Sequence, residues 1–251
     1  MARSETDVRL IGPPEADGEY VALGDASGDE EIVHLHDYDR IYEVPGLYER
    51  IVQDMLGCCS PQVAVEGLAH AFAELGLDPA ETVLLDLGAG TGLVGELVRS
   101  LGVREVIGLD ALEAARAACL RDRPGIYRDY LVGDLAAPDP ELLARLRSHR
   151  PTGLISAGAF GGTHAPPTAL QNALTLLPTG APVVFTLDER WTQTDAVGGF
   201  RAALSDWFTS GRLTLLRRSR FQHRLSTTGS PIHYELVVAA NGGADAVTLD
   251  R

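Results

Sequence analysis

One stretch constrains this chain more than any other: Val83-Leu-Leu-Asp-Leu-Gly-Ala-Gly-Thr-Gly-Leu-Val-Gly95. Val83 to Leu87 is apolar except for Asp86 and reads as a buried strand. Gly88, Gly90 and Gly92 follow at alternate positions, and a helical pattern starts at Leu93. Strand, glycine turn and helix together make the front edge of a nucleotide-binding βαβ unit. Glycine lets the backbone turn tightly and lets a ligand approach without meeting a Cβ. The helix that follows offers free N–H groups and the positive end of its dipole.

From residue 82 the pattern alternates. Strands are expected at Thr82–Leu87, Glu105–Leu109, Tyr127–Val132, Gly153–Ala157 and Pro182–Leu187, with helices over 93–101, 113–121, 140–148, 166–177 and 199–208. Leu213–Gln222 and Ile232–Ala239 flank Ser226-Thr-Thr-Gly-Ser230, a hairpin signal. The expected fold is α/β: a Rossmann-like, seven-stranded, mostly parallel sheet with helices on both faces and a C-terminal antiparallel β-hairpin. Ser60 as N-cap and Pro61 at N1 open an earlier helix that stops at Gly76. Residues 1–35 hold nine acids against two arginines, which reads as a solvated arm with a short strand around Tyr20–Leu23. The organisation expected is an acidic arm over 1–36, a helical lid segment over 37–80, a core over 81–240 and a tail over 241–251.

Net charge is −14, and all 21 basic residues are arginine. An acidic chain fits neither a phosphate backbone nor an anionic membrane, so no nucleic-acid or membrane partner is expected. With no lysine, Schiff-base chemistry is excluded. No apolar run reaches 18 residues and no apolar leader opens the chain, so a soluble, cytoplasmic protein is expected, as a monomer or homodimer. Cys58, Cys59 and Cys119 lack metal-ligand spacing, so no metal site is expected. Abundant Ala, Gly, Arg, Leu and Pro point to a GC-rich bacterial genome.

The glycines alone leave two ligands open. Gly90-Thr-Gly-Leu-Val-Gly95, with Asp110 twenty residues after Gly90, also fits a dinucleotide fingerprint. Three features weigh against it. Asp86, immediately before the glycines, repels a pyrophosphate and suits an ammonium group. Gly133-Asp134-Leu135 follows the third strand, where a side chain and a backbone N–H reach an adenine edge. The terminal hairpin completes a seven-stranded sheet. A nicotinamide-dependent oxidoreductase is thus the weakest of the readings.

With these residues the chain resembles the class I S-adenosylmethionine-dependent methyltransferases. Asp86-Leu-Gly-Ala-Gly-Thr-Gly92 is similar to their first motif, Asp110 to their ribose-binding acid, and Asp134-Leu135 to their adenine-binding motif. Gly158-Ala-Phe-Gly-Gly-Thr-His164-Ala-Pro-Pro167 is similar to the His-containing loop of the Williams–Beuren-region methyltransferase-like group. The resemblance implies S-adenosyl-L-methionine as cofactor, S-adenosyl-L-homocysteine as product and a small-molecule acceptor, with natural-product biosynthesis as a setting. It implies cofactor contacts at Tyr38, Tyr42, Asp86, Gly88, Ala89, Gly90, Asp110, Ala111, Asp134, Leu135, Ala157 and Phe160. Around the acceptor, His164 and Glu189 are the catalytic candidates. An alternative keeps the cofactor as a fixed charge, in a cyclase or a binding module that transfers nothing.

Overall fold

The computed structural model describes residues 6–12, 18–25, 28–161, 164–195 and 199–243. It divides into two compact units. One holds the chain up to Cys59 together with Gln222–Ile232; the other holds Ser60–Phe221 together with the chain from His233.

The first unit opens with three short strands, β1 (Asp7–Ile11), β2 (Tyr20–Gly24) and β3 (Glu30–His34), in an antiparallel sheet of that order. An acidic arm was expected here. The acids lie on the outer positions of the strands, while Val8, Val21, Leu23 and Val33 point inward. They meet Ile41 of helix α1 (Tyr38–Glu43), Leu47 of the short α2 (Leu47–Glu49), Ile51 and Val52 of a π-helical turn (Arg50–Met55), and Leu56. That is a separate small core. The residues at 222–232 close the same unit. Leu225 donates its N–H to Leu56, Cys59 donates to His223, and Arg224 forms an ion pair with Glu19. Burial, with Arg224 beside it, pushes the His223 imidazole down to about 3, so a neutral ring faces the Cys58 thiol at 3.7 Å.

The second unit begins with α3 (Ser60–Leu75). After a 3-10 turn (Pro79–Glu81) come β4 (Val83–Leu87), α4 (Leu93–Val98) with a 3-10 extension to Leu101, β5 (Glu105–Asp110), α5 (Glu113–Asp122) and β6 (Asp129–Val132). Then follow α6 (Pro140–His149), β7 (Gly153–Phe160), α7 (Pro167–Leu174), β8 (Pro182–Asp188), α8 (Glu189–Thr192) and α9 (Arg201–Thr209). β9 (Leu213–Leu225) and β10 (Pro231–Asn241) end the described chain. The sheet order is β6-β5-β4-β7-β8-β10-β9. β4 to β8 run parallel, and β10 is antiparallel to β8.

Side chains alternate across this sheet. Leu85, Leu87, Ile107 and Phe185 pack under α6, α7 and α9; Leu84, Val106, Ile155 and Val184 pack under α3 and α4. Two buried faces explain why these strands read as near-continuous apolar runs. α3, expected in a lid segment, is a cover of this sheet: Ala64, Leu68, Ala71 and Phe72 lie on Val184, Leu236 and Val238. No helix among the described residues is long and apolar enough to cross a membrane. The expected tail lies outside the described residues from 244 onward.

Candidate functional site

The carboxyl ends of β4, β5 and β6 carry most of the residues singled out above. Gly88, Gly90 and Gly92 have φ of +76°, +52° and +90°, a backbone that other residues adopt only under strain. The Gly88 and Ala89 N–H groups both bond the Leu109 carbonyl, at 2.8 and 3.0 Å, which ties the turn to the end of β5. A Cβ on Gly88 would sit 2.3 Å from the Ala159 methyl, so this glycine also lets β7 close in.

Asp110 ends β5 and accepts two backbone bonds, from Gly90 at 2.9 Å and from Leu112 at 3.1 Å. Burial raises its carboxyl above the ordinary carboxylate value, against the lowering effect of the Gly90, Leu112 and Ala111 N–H groups. Two bonds leave part of its accepting capacity for a ligand. Asp134 is exposed and makes a local turn, accepting the Ala136 N–H at 2.8 Å. The Leu135 side chain is in the core, so only its backbone N–H is available to a ligand.

Asp86 is fully buried and shares its face of the sheet with Leu84. Its Oδ2 accepts the Tyr127 hydroxyl at 2.6 Å; its Oδ1 is buried with no hydrogen-bond partner among the described residues. Burial raises this carboxyl from 3.8 to about 7, with Asp110 adding to the rise and the Tyr127 bond opposing it.

No motif marks Tyr127 and Tyr130. The Tyr130 hydroxyl donates to the Gly90 carbonyl at 2.7 Å. The Tyr127 ring fills a slot left by missing side chains: a Cβ on Gly95 would lie 2.6 Å from it, and one on Gly108 3.1 Å. The signal was present, because a glycine inside an apolar helix or strand implies a close neighbour. Helix propensity favours Gly95→Ala by about 1 kcal/mol. The ring is rigid, however, and overpacking costs about 1–3 kcal/mol. We therefore expect Gly95→Ala to cost a net ~1 kcal/mol and to lower the melting temperature by about 2–4 °C; an unchanged or raised value would show that the slot has room.

The acceptor candidates follow β7 and β8. Between Ser156 and Phe160 the pairing of β7 with β8 shifts register. Phe160, expected to face the ligand, instead packs on Phe185 and Phe200 in the core. Ala157 is half-buried beside the α3 and α4 cluster. The loop then closes on itself, Ala165 N–H to Ala159 O at 3.0 Å and His164 N–H to Gly161 O at 3.1 Å, which presents His164 beyond the strand end. Trp191 lies against Gly161, with its Cδ1 2.8 Å from where a Cβ would stand.

Glu189 forms an ion pair with Arg220. That bond holds its carboxyl below the ordinary value, which suits an anionic anchor and not a group that must take up a proton. Asp188 caps α8 and holds Arg190. Tyr38 and Tyr42 belong to the first unit, where they stack at 5.5 Å and pack with Tyr48. Among the described residues, no group of three or more His, Cys, Asp or Glu side chains is placed to hold a metal ion.

No protein-family model and no curated protein sequence matches the chain. Solved structures do. The N-methyltransferase NodS of Bradyrhizobium japonicum, in complex with S-adenosyl-L-homocysteine, superposes with a TM-score of 0.55 at 13% identity, over 82% of this chain and 97% of that one. A 1,6-didemethyltoxoflavin-N1-methyltransferase of Burkholderia thailandensis, bound to its namesake and S-adenosylhomocysteine, gives 0.52 at 18% identity, over 92% and 99%. A Pyrococcus horikoshii protein described in terms of RNA methylation gives 0.52 at 20%, over 72% and 84%. At such identities the likeness is one of fold: the chain shares the Rossmann-like, seven-stranded fold of these methyltransferases.

Proposed function

We propose that the chain binds S-adenosyl-L-methionine and transfers its methyl group to a small-molecule acceptor. The observation that carries this is the Oδ1 of Asp86. A buried carboxylate oxygen without a donor is costly, so the site is built for a donor that arrives with a ligand. An ammonium group beside the glycine turn, held directly or through water, fits it. Asp110, with accepting capacity left and facing the same turn, fits a pair of ribose hydroxyls. Asp134 and the Leu135 N–H fit the amino edge of an adenine, and Ala111 follows Asp110 on the same side. A pyrophosphate fits none of these carboxylates.

When bound, the sulfonium compound supplies an already activated methyl group. The chain's own work is then to hold the acceptor in line, exclude water and accept a proton where one is lost. Trp191 shields the loop that carries His164. His164 is the proton acceptor, and Glu189, kept anionic by Arg220, orients a polar acceptor. The net charge of −14 favours a small molecule over RNA, and the composition favours bacterial natural-product metabolism.

His164→Ala is expected to slow transfer by about 10²–10⁴-fold while leaving S-adenosylhomocysteine affinity within about twofold. A second reading, a cyclase or a binding module on the same scaffold, is favoured by Glu189 being committed to Arg220, since only one base candidate then remains. Incubation with methyl-labelled S-adenosylmethionine and a bacterial metabolite extract separates the two. Label enters a product only for a transferase, and its absence from every product counts against transfer.

A further inference from the structure

Behind the glycine turn, on the far side of Tyr127, the second unit has another cavity, of about 180 Å³, between α5 and the segment that leads into β6. Its lining excludes Asp86, the turn glycines, Asp110 and Asp134. It is therefore distinct from the site above. Its rim carries Arg116, Arg123 and Arg128 against a single acid, Asp129. Asp129 is committed to Arg145 and His149 on α6. Three guanidinium groups around one small cavity are conspicuous in a chain of net charge −14, though Arg123 is taken up by Glu96 and the Thr91 carbonyl.

Arg116 and Arg128 each spend one nitrogen on one carboxylate, Glu113 and Glu105 respectively. A guanidinium has five N–H donors in a planar fork, so both retain donors suited to a carboxylate. Between them the surface is apolar and aromatic: Leu120 is 51% exposed, and the rings of Tyr127 and Tyr130 form the inner wall. A cationic rim over an apolar and aromatic floor selects a flat anion. The volume admits one ring with its charged group.

The inner wall is also the support of the turn. Tyr127 holds Asp86, Tyr130 holds the Gly90 carbonyl, and the Cys119 sulfur lies 2.7 Å from where a Cβ on Gly92 would stand. Three residues lining one cavity thus brace three points of the strand and turn that precede α4.

We propose that this cavity is an effector site for a small aromatic carboxylate, whose occupancy braces Tyr127 and Tyr130 and tightens cofactor binding at the turn. The cavity's ligand class stands on its own lining; the coupling rests on the cofactor reading given above. Packing against the two rings restrains the side chains that hold Asp86 and Gly90, so less ordering is left for the cofactor to impose. The coupling is reciprocal.

The probe is salicylate, with inorganic phosphate as a second arm, titrated calorimetrically into the full chain with and without S-adenosylhomocysteine. Salicylate should bind the wild type at least tenfold more tightly than the double variant Arg116→Gln/Arg128→Gln, and should raise S-adenosylhomocysteine affinity at least threefold in the wild type alone. Both arginines are substantially exposed, and an unchanged melting temperature shows that the variant is folded. Tyr127→Phe keeps the ring and loses the bond to Asp86, so it should retain salicylate binding and lose the threefold effect. Equal salicylate binding by wild type and double variant, or none, overturns the site. Phosphate binding as tightly as salicylate overturns the aromatic class. An unchanged S-adenosylhomocysteine affinity overturns the coupling. Failure of S-adenosylhomocysteine to bind at all overturns the cofactor reading and leaves the salicylate comparison standing.

Discussion

Asp110→Ala should reduce S-adenosylhomocysteine affinity by at least about 10²-fold. Two charge-assisted bonds to ribose hydroxyls, at about 1.5–3 kcal/mol each, correspond to about 10²–10⁴ in the equilibrium constant. The substitution also frees the Gly90 and Leu112 N–H groups, so the turn itself can loosen. Asp110→Asn separates these effects. It keeps an oxygen for one backbone bond but loses the charge, and it should weaken binding by an intermediate amount with the melting temperature of the ligand-free protein maintained. The measurement is a calorimetric titration of both variants. A wild-type affinity in Asp110→Ala would remove this carboxylate from the site.

The second large effect concerns protons. Burial holds the Asp86 carboxyl near 7 in the folded chain, against 3.8 as its ordinary value. The folded state therefore keeps this proton between about pH 4 and 7 while the unfolded state has lost it. By linkage, stability falls as pH rises through that window, by roughly 4 kcal/mol in total for this group. An ammonium ligand needs the ionised form. Its affinity should climb about tenfold per pH unit from pH 5 toward 7 and level off above. Asp86→Asn abolishes both dependences: the ligand-free variant should melt higher than wild type at pH 8, yet bind S-adenosylhomocysteine weakly at every pH. Titrations and melts at pH 5.5, 7 and 8.5 read both. A wild-type affinity that is flat with pH would mean that Asp86 does not face the ammonium.

Much of this site was written in the sequence because its constraints are local. Gly88, Gly90 and Gly92 are glycine where φ is positive, and Asp110 stands at a fixed distance along the next strand. The parallel strands were legible because both faces of the sheet are covered. The contact of Tyr127 with Asp86 spans 41 residues, and no local pattern announces it. Phe160 goes to the core because alternation from Leu154 puts it on the face under α6, α7 and α9, and the register shift, two residues long, keeps that face. Apart from β2, expected around Tyr20–Leu23, the sheet of the first unit was hidden for a different reason. Its strands are five residues each and carry acids outward, and the apolar partners that stabilise them, Ile41, Ile51 and Leu56, come from a later segment. The finer likeness of the His164 loop to the Williams–Beuren-region group rests on the sequence alone.

The first unit is assembled from two pieces of chain: Cys59 and Gln222, which touch within it, are 163 residues apart. At a ribosome, where elongation runs at about 5–20 residues per second, the early piece emerges roughly 8–30 s before the piece that completes it. During that interval Glu19 has no Arg224, and the Leu56 carbonyl has no Leu225 to bond. The strands β1 to β3 are made long before the piece that completes their unit, so a nascent chain stalled before residue 222 would expose them to protease while the finished protein shields them.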